Sequence, residues 1–243
     1  MEIQRVQPIA EQVLTLLRQR IHDRVYGPEN RLPSESELAD ELQVSRATIR
    51  SALSALAAER LIVRRQGDGT YINRRFLDTT THFGAISEFT GMIRSSGQVP
   101  SIQALDLFSR AALPQEIAAL EIPFDSQIQV VIRLFFADRA PAIYSINSIP
   151  MVLLHQKLTR PDIEEPLPKF FKKFCNQEFT YGISEMFAEN VPAEIAQLLG
   201  VAPATPLVGM REVFYNDRDE ALVSAVNYFN SKVFQLKVAR SFD

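Results

Sequence analysis

The chain has 243 residues and 27.5 kDa, 46% hydrophobic and 23% charged, which is enough for one large or two medium domains with cores of their own. Its 26 Lys+Arg against 29 Asp+Glu give a net charge of −3, excluding a generally basic nucleic-acid coat or a polybasic membrane binder but not a local basic face. The single Cys175 excludes an internal disulfide and a cysteine-cluster metal site, no apolar run reaches the ~18–20 residues of a membrane span, and the N-terminal MEIQRVQPIAEQVLTLL lacks a signal-peptide pattern, so a cytoplasmic globule is expected.

The charge is uneven. Residues 1–75 hold 12 Arg and no Lys against 10 Asp+Glu, while residues 76–243 hold 14 Lys+Arg against 19 Asp+Glu. Between residues 43 and 75, seven Arg face only Glu59 and Asp68. On charge alone such a stretch fits a polyanion-binding face and a solvated arginine-rich surface equally well.

The periodicity separates these two readings. Ile9, Val13, Leu16, Leu17 and Ile21 recur at helical spacing, predicting a helix over about residues 8–25 that Gly27, Pro28 and Asn30 end. Pro33-Ser34-Glu35-Ser36-Glu37 opens a second helix, with Ser34 and Glu37 as a capping box and Leu38, Ala39 and Leu42 as its inner stripe. Ser45 caps a third helix whose Ile49, Leu53 and Leu56 are buried, leaving Arg46 and Arg50 one turn apart and facing outward. Two short helices joined by a tight turn, the second with paired arginines near its start, have the geometry that enters a major groove. There the guanidinium fork meets guanine O6 and N7, or clamps a phosphate. LIVRRQGDGTYI follows as a hairpin around Gln66-Gly67-Asp68-Gly69, with Arg64 and Arg65 on its first strand, and reads as a wing.

These residues carry a resemblance. The run RLPSESELADELQVSRATIRSALSALAAERLIVRRQGDGTYI, within residues 8–73, resembles the winged-helix domain of GntR-type bacterial transcription regulators. The resemblance implies DNA contacts at Arg31, Arg46, Arg50 and Gly67, with Thr48 a weaker carry-over. Ser36 departs from the arginine usual after LPSE, which removes one phosphate contact.

Further along, a polar linker is expected at 76–82 and a second domain over 83–243, after a DNA-binding domain at 1–75. Phe83, Ile86, Phe89 (or Thr90) and Ile93 predict a helix that Gly97 and Pro100 end. Strands are expected at Ile128–Ala137, Ala142–Ile149, Leu207–Tyr215 and Leu222–Phe229. PQEIAAL at 114–120 matches PAEIAQL at 192–198, and Arg133 matches Arg211 at the same shift. A helix followed by a β-hairpin thus occurs twice. Two such units make one antiparallel sheet with helices on one side, an α+β domain.

The second half resembles the UTRA effector domain of the HutC subfamily, through FTGMIRSSG, IRLFFADRAPAIY and VPAEIAQLLGVAPATPLVGMREVFYNDRDEALVSAVNYF. His22, His82 and His155 show no metal-ligand spacing, unlike the helical metal-binding partner domain of the superfamily, and no metal or other cofactor is expected. The resemblance implies a metabolite pocket, commonly for a phosphate or carboxylate, and a homodimer on a pseudo-palindromic operator. Residues 87–90 open a helix whose N–H groups suit an anion, with Ser87 and Thr90 as hydroxyl or capping residues. Arg133 is the candidate anion partner, with a structural ion pair as its other role, while Arg211 reads as structural. Tyr144, Ser145, Asn227 and Tyr228 are further pocket candidates, with ordinary sheet filling as the equal alternative for each. Phe135 replaces a second arginine of the amino-sugar-phosphate binders, and Ser145 and Val223 stand where they carry acids. The loss of both carboxylates points to a less polar or differently shaped ligand. UTRA domains also resemble the chorismate lyase fold, but the sequence offers no nucleophile–base pair, and Cys175 has no activator, so no enzyme activity is expected. A DNA binder without any ligand is the remaining alternative.

Overall fold

The computed structural model describes residues 8–27, 29–65, 67–77 and 88–236. Most of the linker expected at 76–82, the positions Gln66, Phe83 and Ile86, and the candidate Ser87 lie outside the described residues. The chain divides into two compact units, the first reaching Thr81 and the second beginning at His82.

The first unit holds helices α1 (Ile9–His22), α2 (Glu35–Leu42) and α3 (Arg46–Ala58), strands β1 (Ile62–Arg65) and β2 (Gly69–Ile72), and one turn of helix, α4 (Arg74–Leu77). In α1, Val13, Leu17 and Ile21 are buried, whereas Ile9 and Leu16, counted with that stripe in the sequence, are exposed. Only every third or fourth residue of the helix faces the core. The capping box forms: the Ser34 hydroxyl accepts from the Glu37 amide, and the Glu37 carboxylate accepts from the Ser34 amide. Gln43, at φ 55°, turns the chain sharply out of α2. Ser45 then caps α3 by accepting from the Thr48 amide. Leu38, Ile49, Leu53 and Leu56 join the α1 residues and Ile62 and Ile72 in one core, each full burial contributing about 1.5–3 kcal/mol. The hairpin β1–β2 pairs Arg64 with Thr70 and Arg65 with Gly69. Arg31 forms an isolated bridge to Tyr71 on its outer edge.

The second unit runs α5 (Phe89–Ser95), β3 (Pro100–Ala111), α6 (Pro114–Leu120), β4 (Gln127–Ala137) and β5 (Ala140–Pro150), followed by 3-10 turns at Met151–Leu153 and Arg160–Glu164. It continues with α7 (Leu167–Phe174), β6 (Tyr181–Asn190), α8 (Ala193–Leu198), β7 (Pro206–Tyr215) and β8 (Ala221–Phe229). The six strands form an antiparallel sheet in the order β3-β4-β5-β8-β7-β6. The duplication is larger than the sequence match indicated. β3-α6-β4-β5 and β6-α8-β7-β8 are the same strand-helix-hairpin unit, meeting where β5 pairs with β8 and leaving β3 and β6 as the two edges.

Helices cover both faces of this sheet, not one as expected. The repeated helices share a face: α6 packs Leu120 on Ile128 and Val130, and α8 packs Ala196 near Leu134, Tyr144 and Tyr228. The opposite face carries α5 at one end, with Ile93 against Phe135, Ile143, Met210 and Phe229. At its other end α7 sets Phe170, Phe171 and Phe174 against Val131, Ile149 and Val223. A sheet with apolar residues on both sides of the pleat needs cover on both.

Candidate DNA-reading surface and effector site

In the first unit, burial of Ile49, Leu53 and Leu56 turns the other side of α3 outward, and there Arg46 and Arg50 are both exposed. Arg50 is tied to Glu35 on α2: its Nη2 and Nε donate to Oε2 at 2.9 and 3.1 Å. That contact, with the charges of Arg64 and Arg46 nearby, holds the Glu35 carboxyl below its ordinary range. Thr48 is half-buried, its hydroxyl 2.8 Å from that of Ser45, so it belongs to the cap of α3. Arg64 is exposed on the wing and donates to the Ser54 hydroxyl at 3.3 Å. Arg65, on the other side of the ribbon, lies over the Tyr71 ring at 4.4 Å. Arg31 reaches the wing tip, its Nη2 donating to the Asp68 carbonyl at 2.5 Å. Gly67, exposed at φ 77°, forms that tip, and Gly69, at φ 136°, lies under the Arg31 guanidinium. Arg31, Arg46, Arg50 and Arg64 therefore present four exposed guanidinium groups on one small unit.

In the second unit the strand register sorts the candidates by face. Arg133 pairs with Ser145, Ser145 with Asn227 and Asn227 with Met210, making one row across β4, β5, β8 and β7. The next row on that face runs Val131, Asn147, Ala225, Glu212 and Ser184. Tyr144 and Tyr228 pair with each other one residue along, so they point to the opposite face. There the Tyr228 hydroxyl donates to Glu189 at 2.7 Å, and burial together with that carboxylate pushes it up to about 12. The four pocket candidates thus fall into two pairs on different sides of the sheet.

The first pair belongs to a polar belt between the apolar ends under α5 and α7. Arg133 is 2% exposed; its Nη1 donates to the Glu165 carbonyl at 2.9 Å, and its Nε has no partner among the described residues. Burial lowers the guanidinium to about 10, opposed by the nearby Glu88 charge. The Asn147 amide donates to the Ser145 hydroxyl at 2.9 Å. Asn227, 1% exposed, donates to Glu212 at 2.7 Å while its own amide oxygen has no partner among the described residues. Ser184 donates to Glu212 at 2.8 Å.

Two features of this belt escape the sequence argument. The N-terminus of α5 is not open to an anion, because Glu88 caps it: its carboxylate accepts from the amides of Thr90 and Gly91 and from the Thr90 hydroxyl. Thr90, expected as a hydroxyl or capping residue, instead lies within the first turn and donates to the capping Glu88 carboxylate. Glu212 also restores a carboxylate to the face, on β7, although Ser145 and Val223 are not acidic. Its signal in the sequence is an acid inside the largely apolar strand PLVGMREVFY, next to Arg211. Arg211 itself points to the other face, its guanidinium 3.8 Å from the Phe187 ring centroid. Among the described residues, no group of three His, Cys, Asp or Glu is placed to hold a metal, and no helix is long and apolar enough to cross a membrane. Cys175 is buried, which pushes its thiol up to about 12.

Comparison with known proteins gives two family matches. Residues 9–72 match "Bacterial regulatory proteins, gntR family", and residues 95–235 match the UTRA domain. The HTH-type transcriptional repressor NagR of Bacillus subtilis is 23% identical over 91% of this chain and 90% of its own length. The probable fructoselysine utilization operon transcriptional repressor of Escherichia coli is 30% identical over 56% of each chain, and the histidine utilization repressor of Pseudomonas putida is 33% identical over 47% of this chain and 46% of its own. Among solved structures, PhnF from Mycobacterium smegmatis superposes with a TM-score of 0.59 over 95% of this chain and 100% of its own, at 16% identity. That likeness shows a shared fold.

Proposed function

The chain belongs to the GntR family of bacterial regulatory proteins, in the HutC-like branch that joins the DNA-binding unit to a UTRA domain, and from that membership we propose how it works. It is a ligand-modulated, DNA-binding regulator of transcription, which sets aside the enzyme alternative. As a cytoplasmic homodimer it represses from a pseudo-palindromic operator, α3 lying in the major groove and the wing beside the backbone. Arg46 and Arg50 read base edges, while Arg31, Arg64, Arg65 and the Gly67 backbone hold phosphates. The observation that carries this assignment is the exposure of both α3 arginines over a fully buried opposite face.

The effector enters the polar belt, where the unpartnered Arg133 Nε and the Ser145 hydroxyl meet an acceptor oxygen of a carboxylate, phosphate or carbonyl. A buried polar row with open bonding capacity also argues against a DNA binder without a ligand. Ligand binding there shifts the population of dimers whose two reading heads match the half-site spacing.

Fluorescence anisotropy with duplex DNA from immediately upstream of its own gene, against a scrambled duplex at two salt concentrations, tests the DNA half. Selective binding that weakens steeply with salt is expected. Equal weak binding to both duplexes, with random-site selection also failing to enrich a sequence, overturns it. For the ligand half, Arg133→Met should leave operator affinity intact and abolish its response to metabolite extract. A variant that still responds removes Arg133 from the site.

A further inference from the structure

The effector belt holds more acceptors than its own donors satisfy. Glu212 is 5% exposed, and among the described residues no ion pair involves it. A buried carboxylate lacking a cation is costly unless something else neutralises it. Its two hydrogen bonds come from neutral groups, the Ser184 hydroxyl and the Asn227 amide nitrogen. Donating that nitrogen to Glu212 fixes which way the Asn227 amide points, and its oxygen is then the atom left without a partner. Carboxylate and amide oxygen belong to hydrogen-bonded neighbours, so both open capacities sit at one place and both call for a donor. The belt's own cation does not fill the role: Arg133 stands two strands away from Asn227, about 10 Å in Cα terms, and Glu88 already opposes its charge.

We propose that this end of the belt, formed by Glu212, Asn227 and Ser184, is a subsite for a cationic amine, so that the effector carries an ammonium here and an acceptor oxygen toward Arg133. The inference rests on the effector assignment above. An ammonium has three N–H groups and a full charge, so it satisfies the Glu212 carboxylate and the Asn227 oxygen together. A hydroxyl has one donor and leaves the charge unmatched. Ser145 and Asn147 lie between the two polar ends, and apolar residues flank the belt, with Phe135, Met210 and Phe229 under α5 and Val131 and Val223 under α7. Burial also pushes the Glu212 carboxyl up to about 7, so it is fully charged only above that pH, and a bound ammonium would hold it ionised.

Matched small molecules test this on the full chain. Thermal shift and calorimetry at pH 8 would compare 4-aminobutanoate, 5-aminopentanoate and glucosamine with butanoate, pentanoate and glucose. The amines should raise the Tm and bind at least tenfold more tightly than their deamino counterparts. Glu212→Gln, close in shape to the parent side chain, should bring the two series to within about twofold of each other. Deamino compounds that bind the parent as tightly as the amines overturn the inference, and so does discrimination that survives Glu212→Gln. Silence of both series overturns it too, since the parent comparison needs no variant to fold. Operator release by a deproteinised cell extract judges the effector assignment separately.

Discussion

Arg50 of α3 and Glu35 of α2 form a two-point ion pair across the helix-turn-helix, with the guanidinium still 65% exposed. The pair aims the fork outward while keeping it from collapsing onto the helix surface. It also places one negative charge among the exposed guanidinium groups of the face proposed to meet DNA. On the proposed reading, operator DNA has to outcompete Glu35, which the right base edge does better than a uniform backbone.

Arg50→Ala should weaken operator binding roughly ten- to a hundredfold and flatten the preference for operator over scrambled duplex. Glu35→Gln should act in the other direction on specificity: affinity for the scrambled duplex rises several-fold while the operator gains less. Anisotropy titrations at two salt concentrations measure both. Unchanged selectivity in both variants would take Arg50 out of base reading.

Gly69 should tolerate no side chain. At φ 136° an L-residue is strained, and a Cβ there would stand 3.1 Å from the Arg31 Nε. Gly69→Ala is expected to cost about 1–2 kcal/mol and to release Arg31 from the wing tip, weakening operator and scrambled DNA alike. Urea unfolding paired with the binding assay reads the two effects.

A second glycine tests the sheet. The Phe187 ring lies directly over Gly209, where a Cβ would sit 2.2 Å from a ring carbon, and the same ring meets Tyr228 edge-on at 5.9 Å. Gly209→Ala should destabilise the second unit by about 1–3 kcal/mol through overpacking, whereas Gly27→Ala, with open space around it, should not. Calorimetric unfolding of the two variants gives the comparison.

Glu212 makes stability depend on pH in a defined window. Its folded value of about 7 exceeds the ordinary 4.5, so its favourable contribution is complete below pH 4.5 and is lost as pH rises to 7. Glu212→Gln removes that loss. The variant should gain on the parent by up to about 3 kcal/mol between those limits, with no further change above pH 8. A flat difference across the window would show that the carboxyl titrates normally.

Helices, caps and hairpins of the first unit were legible residue by residue, because each rests on contacts within a few positions. Ser34 with Glu37, Ser45 with Thr48 and the buried Ile49-Leu53-Leu56 stripe need no distant partner to be recognised. The four inner strands of the sheet were legible for a similar reason, since long apolar segments such as QIQVVIRLFFA have few other fates. The edges β3 and β6 were not, because an edge strand keeps polar side chains in water and loses the apolar signature. What tertiary structure alone decided is pairing across the sheet. Register sent Tyr144 and Tyr228 to the other side and set Glu212 beside Asn227 within the β7–β8 hairpin, and the pairing of β5 with β8, distant in sequence, put Arg133 and Ser145 in one row with Asn227. Sequence spacing sets which face a residue takes within its own strand. Which strands lie next to each other, and so which charges meet, is set by the packing of the whole unit.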